Sequence, residues 1–258
     1  MSKPHTLYSQ KVTLDPVSHT YRCNDGHEYM GFSRFYEFLV PKFDAEFIAA
    51  QVAKSEGRTK GDVLSGWRGA TDHGTRIDAA LELYAQTGQI LAENEDIEPL
   101  IKHVLSKYSK YHSCYEQLVV FDEKTRTAGS IDKLALLSNR KDGKFHLSDF
   151  KCFDNGMSYE VKGSPWLNYP LNYMPNTKYT KISLQTSYYA LHFEKLTGRR
   201  CEKIFIDMIQ PVKEKDKVVG YKNYVIPVPY LKHQVEAAIE HFQSNIINTL
   251  TPIEFEEF

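Results

Sequence analysis

No stretch of this 258-residue chain approaches the roughly 18 consecutive apolar residues of a membrane-spanning helix, which excludes a helical membrane protein. Cysteine is scarce: Cys23, Cys114, Cys152 and Cys201 lie far apart, with no C-x-x-C. Such spacing excludes a disulfide framework, supplies no ligand set for zinc or an iron–sulfur cluster, and reads as reduced thiols. Net charge is almost absent, since 32 Lys and Arg oppose 33 Asp and Glu. No global field therefore marks a nucleic-acid or membrane partner, although an acidic site beside basic patches fits the same total. The opening MSKPHTLYSQ has neither the apolar stretch of a secretory signal nor the arginines of a transit peptide, so the expected compartment is cytoplasmic.

What is present is ordinary globular material, 41% hydrophobic and 25% charged, with 13% aromatics led by 17 Tyr. With no internal repeat or linker, residues 1–258 read as one domain. Its parts are an N-terminal hairpin and helices (1–111), a core (112–210) and a C-terminal hairpin and helix (211–258).

Alternation over 12–14 and 20–22 around Asn24-Asp25-Gly26 predicts β-hairpin material. Ser33 is the expected N-cap of a short helix ended by Pro41, and Asp44 that of a helix closed by Gly57. Asp62 opens a helix stopped by Gly88, and Gly66, Gly69 and Gly74 in its first half suggest close backbone approach. A fourth helix is expected over 97–111, then strands over 115–121, 128–137 and 145–153. A long Pro/Asn/Gly/Tyr segment at 154–177 follows, then a helix over 179–196 and a strand over 203–209. A hairpin around 213–220, a strand over 221–228 and a helix over 230–248 complete the chain. The order predicts an α/β fold with a mixed central sheet.

The chemistry concentrates in Gly129-Ser130-Ile131-Asp132 and Ser148-Asp149-Phe150-Lys151. Residues i and i+2 of a strand share a face, so Asp149 and Lys151 project together, and Asp132 can join them if the two strands pair. Two carboxylates beside an ammonium suit Mg²⁺ or Mn²⁺, which favour oxygen ligands. Such a metal can hold a phosphate oxygen and acidify a water, while the lysine positions that water or offsets developing charge. The bland alternative is a cross-strand Asp–Lys pair on a solvated face. Phe145, Leu147, Phe150 and Phe153 argue against that, because they surround Asp149 with apolar groups.

Several motifs in order make the chain resemble the PD-(D/E)XK nuclease superfamily, in its RecB-like, phage-type exonuclease branch. Gly129 to Asp132 is similar to the G-x-x-D strand, and Asp149-Phe150-Lys151 to the D/E-x-K strand. Gln185-Thr186-Ser187-Tyr188-Tyr189 matches Q-x-x-x-Y, and Gly74-Thr75-Arg76-Ile77-Asp78 is similar to the G-T-x-x-H helix. His19-Thr20-Tyr21 and Trp67 resemble features of phage-type and mitochondrial genome-maintenance members.

The resemblance implies a restriction-endonuclease-like core and a metal-dependent DNA exonuclease of phage or bacterial recombination, repair or degradation. In a phage setting the compartment would be the host cytoplasm. Asp132, Asp149 and the Phe150 carbonyl would hold Mg²⁺ or Mn²⁺, and Lys151 would orient or deprotonate the attacking water. Asp78 stands where relatives carry a metal-binding histidine, and Glu82 shares its helix face. His73 is one turn off that position. Glu116 falls where an acidic residue recurs, as a further ligand or the partner of a lysine. Gln185 and Tyr189 would contact the DNA backbone or support Lys151.

Basic residues form two groups, Lys54, Arg58, Lys60, Arg68 and Arg76, and then Lys178, Lys181, Arg199 and Arg200. Arg76, Lys178 and Lys181 are the foremost candidates for phosphate contact. The aromatic stretch at 166–179 can stack on unpaired bases or pack as a flap. DNA is the expected partner, with a single-strand annealing protein or recombinase as a possible second. The same site would serve a structure-specific or flap endonuclease. A catalytically silent DNA-end-binding or recombinase-partner module is the alternative from another class.

Overall fold

Gly26, at φ 86°, makes the expected turn between β2 (Thr20–Cys23) and β3 (Glu28–Gly31), and β1 (Val12–Asp15) pairs with the other edge of β2. The structure is a computed structural model that describes residues 7–15, 18–41, 44–153, 157, 159, 165–214 and 217–250. Residues 154–156, 158 and 160–164 of the long Pro/Asn/Gly/Tyr segment, and 215–216 of the last hairpin, lie outside the described residues.

The helices form where expected but start differently. Helix α1 (Phe32–Leu39) has Gly31, not Ser33, at its N-cap. Beginning at Phe32 puts that ring in the same buried stripe as Phe35, Tyr36 and Leu39. In α2 (Ala45–Glu56), Asp44 caps by accepting from the Phe47 N–H at 2.9 Å, and Gly57 closes the helix in the left-handed region. In α3 (Lys60–Thr87) the cap is Thr59, and Asp62 is its partner in a reciprocal capping box. Gly66 and Gly74 are not sites of close approach. A Cβ there would meet its nearest neighbours, an Arg58 guanidinium nitrogen and the Cys152 Cβ, at ordinary distances of 3.6 and 3.8 Å. The surroundings of Gly69 lie outside the described set.

The expected fourth helix is broken into a 3-10 turn (Ala92–Ile97) and α4 (Glu98–Ser106). Pro99 sits at the start of α4, where its missing N–H costs nothing. At the other end Lys107 and Tyr108 are drawn to the buried Asp207 carboxylate, which also accepts from Ser148 Oγ at 2.8 Å.

The remaining elements are β4 (Ser113–Asp122), β5 (Thr127–Leu136), β6 (Lys144–Cys152), α5 (Lys178–Thr197), β7 (Arg200–Glu214), β8 (Lys217–Val228) and α6 (Lys232–Leu250). Eight strands make one mixed sheet, in the order β1-β2-β3-β5-β6-β7-β8 with β4 also on β5. Two joins are parallel, β3 to β5 and β6 to β7. The α/β class with a mixed central sheet is therefore as expected. The N-terminal strands are no separate hairpin, because Met30 and Gly31 pair with Thr127 and Ala128.

Helices cover both faces. On one, α1, α5 and α6 bury Phe35, Tyr188 and Phe242 against Leu134, Leu147 and Ile206. On the other, α3 and α4 bury Ile77, Leu81 and Ile101 against Phe150 and Ile209. Among the described residues no helix is long and apolar enough to cross a membrane.

Candidate active site

Period-two alternation along β6 sends Phe150 to the α3/α4 side, and Asp149 and Lys151 to the face of Leu147, against α5. The β5–β6 ladder runs from Leu136–Phe145 to Lys133–Ser148 and then stops. Beyond it a side chain replaces the ladder: Asp132 Oδ2 accepts the Phe150 N–H at 2.9 Å. Lys151 Nζ stands 2.6 Å from Asp149 Oδ2 as its ion-pair partner and donates to the Phe150 carbonyl at 3.1 Å. One ammonium thus already sits where a carboxylate oxygen and a carbonyl oxygen converge.

Asp149 is only 2% exposed. Burial pushes its carboxyl well above the usual range; the Lys151 charge opposes the shift and the Asp132 carboxylate adds to it. Burial lowers the Lys151 pKa, but the Asp149 and Asp132 carboxylates outweigh it and hold the ammonium charged far above its usual range.

Asp78 of α3 belongs to the same electrostatic group. Its pKa is raised to about 7, first by burial and then by Asp132, against the pull of Lys151. Asp78 Oδ1 is buried without a hydrogen-bond partner among the described residues, whereas the buried Asp149 Oδ2 faces the Lys151 ammonium. Asp78, Glu82, Glu116, Gln117 and Asp132 line a small cavity of about 40 Å³ over the Phe150 side chain. Glu116 is neutralised there by the buried Lys133 ammonium, so of its two expected roles the structure places it as a lysine's partner.

Gln117 was not singled out in the sequence. Glu116 and Leu118 pair with Lys133 and Ile131, but the ladder skips Gln117 opposite Asp132. Gln117 takes φ 47°, and its Oε1 accepts from Ser130 Oγ at 3.0 Å. A left-handed glutamine inside a strand is costly and needs its surroundings to hold it. Nothing in the regular pattern of 115–121 signals it.

On α5 the residues Lys181, Gln185 and Tyr189 recur every four positions and form one stripe. Gln185 Nε2 donates to the Tyr189 hydroxyl at 2.9 Å. The Tyr189 ring lies directly over Gly129. Gln185 and Tyr189 also wall a larger groove of about 520 Å³, which they share with Tyr21, Phe32 and Arg34. The Lys181 pKa is lowered, first by desolvation and then by the Lys151 ammonium, so the two cations sense each other.

Other candidates are occupied elsewhere. Arg76 is not free for phosphate: its guanidinium donates to Asn94 Oδ1 at 2.8 Å, the Glu93 carbonyl and the Asp96 carboxylate, fastening α3 to the 3-10 turn. Arg58 and Lys60 pair with Glu56 and Glu46, and Arg199 donates to the Ser138 and Asn139 carbonyls. Lys178 stands over the Phe153 ring, with 4.6 Å to its centroid. His73 stacks on Tyr221 with ring centroids 5.9 Å apart.

Among the described residues no three His, Cys, Asp or Glu side chains converge as a ready-made metal shell. Mg²⁺ needs fewer protein ligands, since it keeps several waters and is usually held by one or two carboxylates. The unpartnered Asp78 Oδ1, and the Asp149 carboxylate and Phe150 carbonyl that the Lys151 ammonium bridges, are buried oxygen donors of the kind a small divalent cation takes.

No family model and no curated protein matches the chain. A crystal structure of a Eubacterium rectale protein, provisionally called an exonuclease, is similar at a TM-score of 0.39 and 14% identity. The match covers 86% of this chain and 80% of that one.

Proposed function

We propose that the chain is a metal-dependent DNA nuclease, an exonuclease hydrolysing phosphodiester bonds on a restriction-endonuclease-like core. The observation that carries this reading is the convergence of Asp132, Asp149 and Lys151 where the β5–β6 ladder ends, with Lys151 Nζ 2.6 Å from Asp149 Oδ2.

In this reading Asp132, Asp149 and the Phe150 carbonyl hold Mg²⁺ or Mn²⁺, with Asp78 beside them. The ion supplies Lewis-acid polarisation of a phosphate oxygen and a more acidic water. Lys151, whose Nζ lies 2.6 Å from Asp149 Oδ2 and donates to the Phe150 carbonyl, would orient or deprotonate the attacking water. It orients the phosphate and offsets charge that develops on it. Asp132 has a second duty, fixing the Phe150 peptide through its N–H so that the carbonyl on the same residue is held in place. Gln185 fixes the Tyr189 hydroxyl, which keeps the α5 stripe rigid along the site. The resemblance to phage-type exonucleases points toward phage or bacterial DNA recombination, repair or degradation as its setting.

The test is release of nucleotides from end-labelled linear DNA, with single-stranded and closed circular DNA alongside. Mg²⁺ or Mn²⁺ should support release, and EDTA, Asp149→Ala or Asp132→Ala should abolish it. Cleavage that survives rigorous chelation, or Asp149→Ala turning over like the wild type, would overturn the reading. Binding of DNA ends without cleavage would make the chain a silent end-binding module.

A further inference from the structure

Trp166, Tyr169 and Tyr173 fall within eight residues of one loop and remain 60%, 66% and 61% exposed. The loop that carries them is anchored. Leu167 and Leu171 are buried in the main core, the Leu167 N–H donates to the Met174 carbonyl at 2.9 Å, and Trp166 bridges to Pro175. The Asn168 N–H donates to the Leu39 carbonyl at 2.8 Å, and Tyr36 donates to Asn176 Oδ1 at 2.9 Å, tying the loop to α1. The Trp166 and Tyr173 rings are therefore held out in water by a fixed backbone, and the Tyr169 ring, edge-on to His241 at 4.8 Å, keeps most of its surface exposed. Clustered exposed rings of this kind mark an interaction surface.

The neighbouring charges identify the occupant. Lys178 and Lys181 open α5 immediately after the loop, and neither has an ion-pair partner among the described residues. Lys178 and Lys181 lie over the Phe153 and Tyr36 rings, and no carboxylate among the described residues neutralises them. Flat π-faces near such ammonium groups match bases on a phosphate chain. Paired bases hide their faces within the duplex, so the chemistry fits an unpaired strand. The α5 stripe leads from this platform to the candidate site. From Lys178 to Tyr189 the helix rises roughly 16 Å, about five nucleotides at the stacked spacing of about 3.4 Å.

We propose that Trp166, Tyr169 and Tyr173 form a stacking platform for the unpaired bases of single-stranded DNA, which then follows the α5 stripe to the carboxylates. The platform rests on the nuclease reading only for the strand's destination.

Trp67 is the only other tryptophan, so in Trp67→Phe the emission reports Trp166 alone. In EDTA, oligo(dT) should quench that emission and bind more tightly than an abasic oligonucleotide of equal length or a blunt duplex. Trp166→Ala and Tyr173→Ala should each weaken oligo(dT) binding about fivefold or more while leaving the abasic strand unaffected. The abasic arm separates stacking from charge, and exposed positions should leave the melting temperature unchanged. If an alanine variant misfolds, the quenching in Trp67→Phe decides alone.

Equal affinity for oligo(dT) and the abasic strand, or equal affinity for the duplex, would overturn the platform. So would burial of Trp166 by self-association without DNA. Cleavage of linear DNA with no preference for bases would sink the platform and leave the nuclease reading standing. Base-dependent quenching without any cleavage would do the reverse.

Discussion

The Tyr189 ring covers Gly129 so closely that a Cβ at Gly129 would stand 2.1 Å from Tyr189 Cε1. The glycine of one motif and the tyrosine of another are thus two halves of a single contact. It seats α5 on β5 three residues from Asp132.

Gly129→Ala is expected to destabilise the protein by about 1–3 kcal/mol, the usual cost of overpacking. At this chain length that lowers the melting temperature by roughly 2–12 °C. Tyr189→Leu in the same chain should recover most of the loss, giving a large coupling in a double-mutant cycle. Additive effects would show that the ring moves aside freely.

Asp78→Asn should raise the melting temperature in EDTA at neutral pH and above, because it removes a buried charge that has no hydrogen-bond partner on Oδ1. The wild-type carboxyl is raised from 3.8 to about 7, so its ionisation subtracts stability as pH climbs through that window. The gain should fade toward pH 4. In the nuclease assay Asp78→Ala should lose activity at low Mg²⁺ and recover partly at high Mg²⁺ or with Mn²⁺, and Asp78→His should be best tolerated. Superimposable metal titrations would place Asp78 outside the ligand set.

At Gln117 the backbone is the constraint. Gln117→Gly removes left-handed strain of about 1–2 kcal/mol and adds unfolded-chain entropy of about 0.5–1 kcal/mol. It also loses the Ser130 hydrogen bond, worth about 0.5–1.5 kcal/mol, so its denaturation midpoint should stay close to the wild type. Gln117→Val should lose more than about 1 kcal/mol, because a branched side chain tolerates φ 47° poorly. Should valine be tolerated, the strand is regular there.

His192 carries an acid-sensitive part of the stability. Its Nδ1–H donates to the Tyr188 carbonyl and its Nε2 faces the Thr127 hydroxyl, each at 2.7 Å, so the buried ring is neutral. Burial lowers its pKa from 6.5 to about 4. The unfolded chain binds the extra proton first, so this contribution is complete above about pH 6.5 and is lost as pH falls toward 4, roughly 3 kcal/mol in all. His192→Asn should have a lower melting temperature at neutral pH but a smaller decline between pH 6.5 and 4.

Much of this arrangement is legible from local signals. Gly57, Gly88 and Gly198 end helices in the left-handed region because they have no Cβ to clash. Spacing alone puts Asp149 with Lys151, and Gln185 with Tyr189. What escaped depends on contacts distant in sequence. Arg76 reads as a free cation until the 92–97 turn folds against it. Gln117 looks like any strand residue until Asp132 interrupts both of its neighbouring ladders. The reason for Gly129 lies roughly sixty residues away, in Tyr189.

The parallel join of β3 to β5 also sets an order of assembly. Met30 has no sheet partner until Thr127 arrives, roughly a hundred residues later, whereas β4, β5 and β6 meet through short hairpins. Local pairings form first because they close small loops, and distant ones wait for the entropy of a long closure. The N-terminal strands are therefore expected to dock late, which pulse-labelled hydrogen exchange would show as later protection of the Met30 amide than of β4–β6. Their last pair joins Gly31 to Ala128, next to Gly129, and Gly31 lines the groove together with Tyr189. During synthesis, that side of the groove closes only after β5 has emerged.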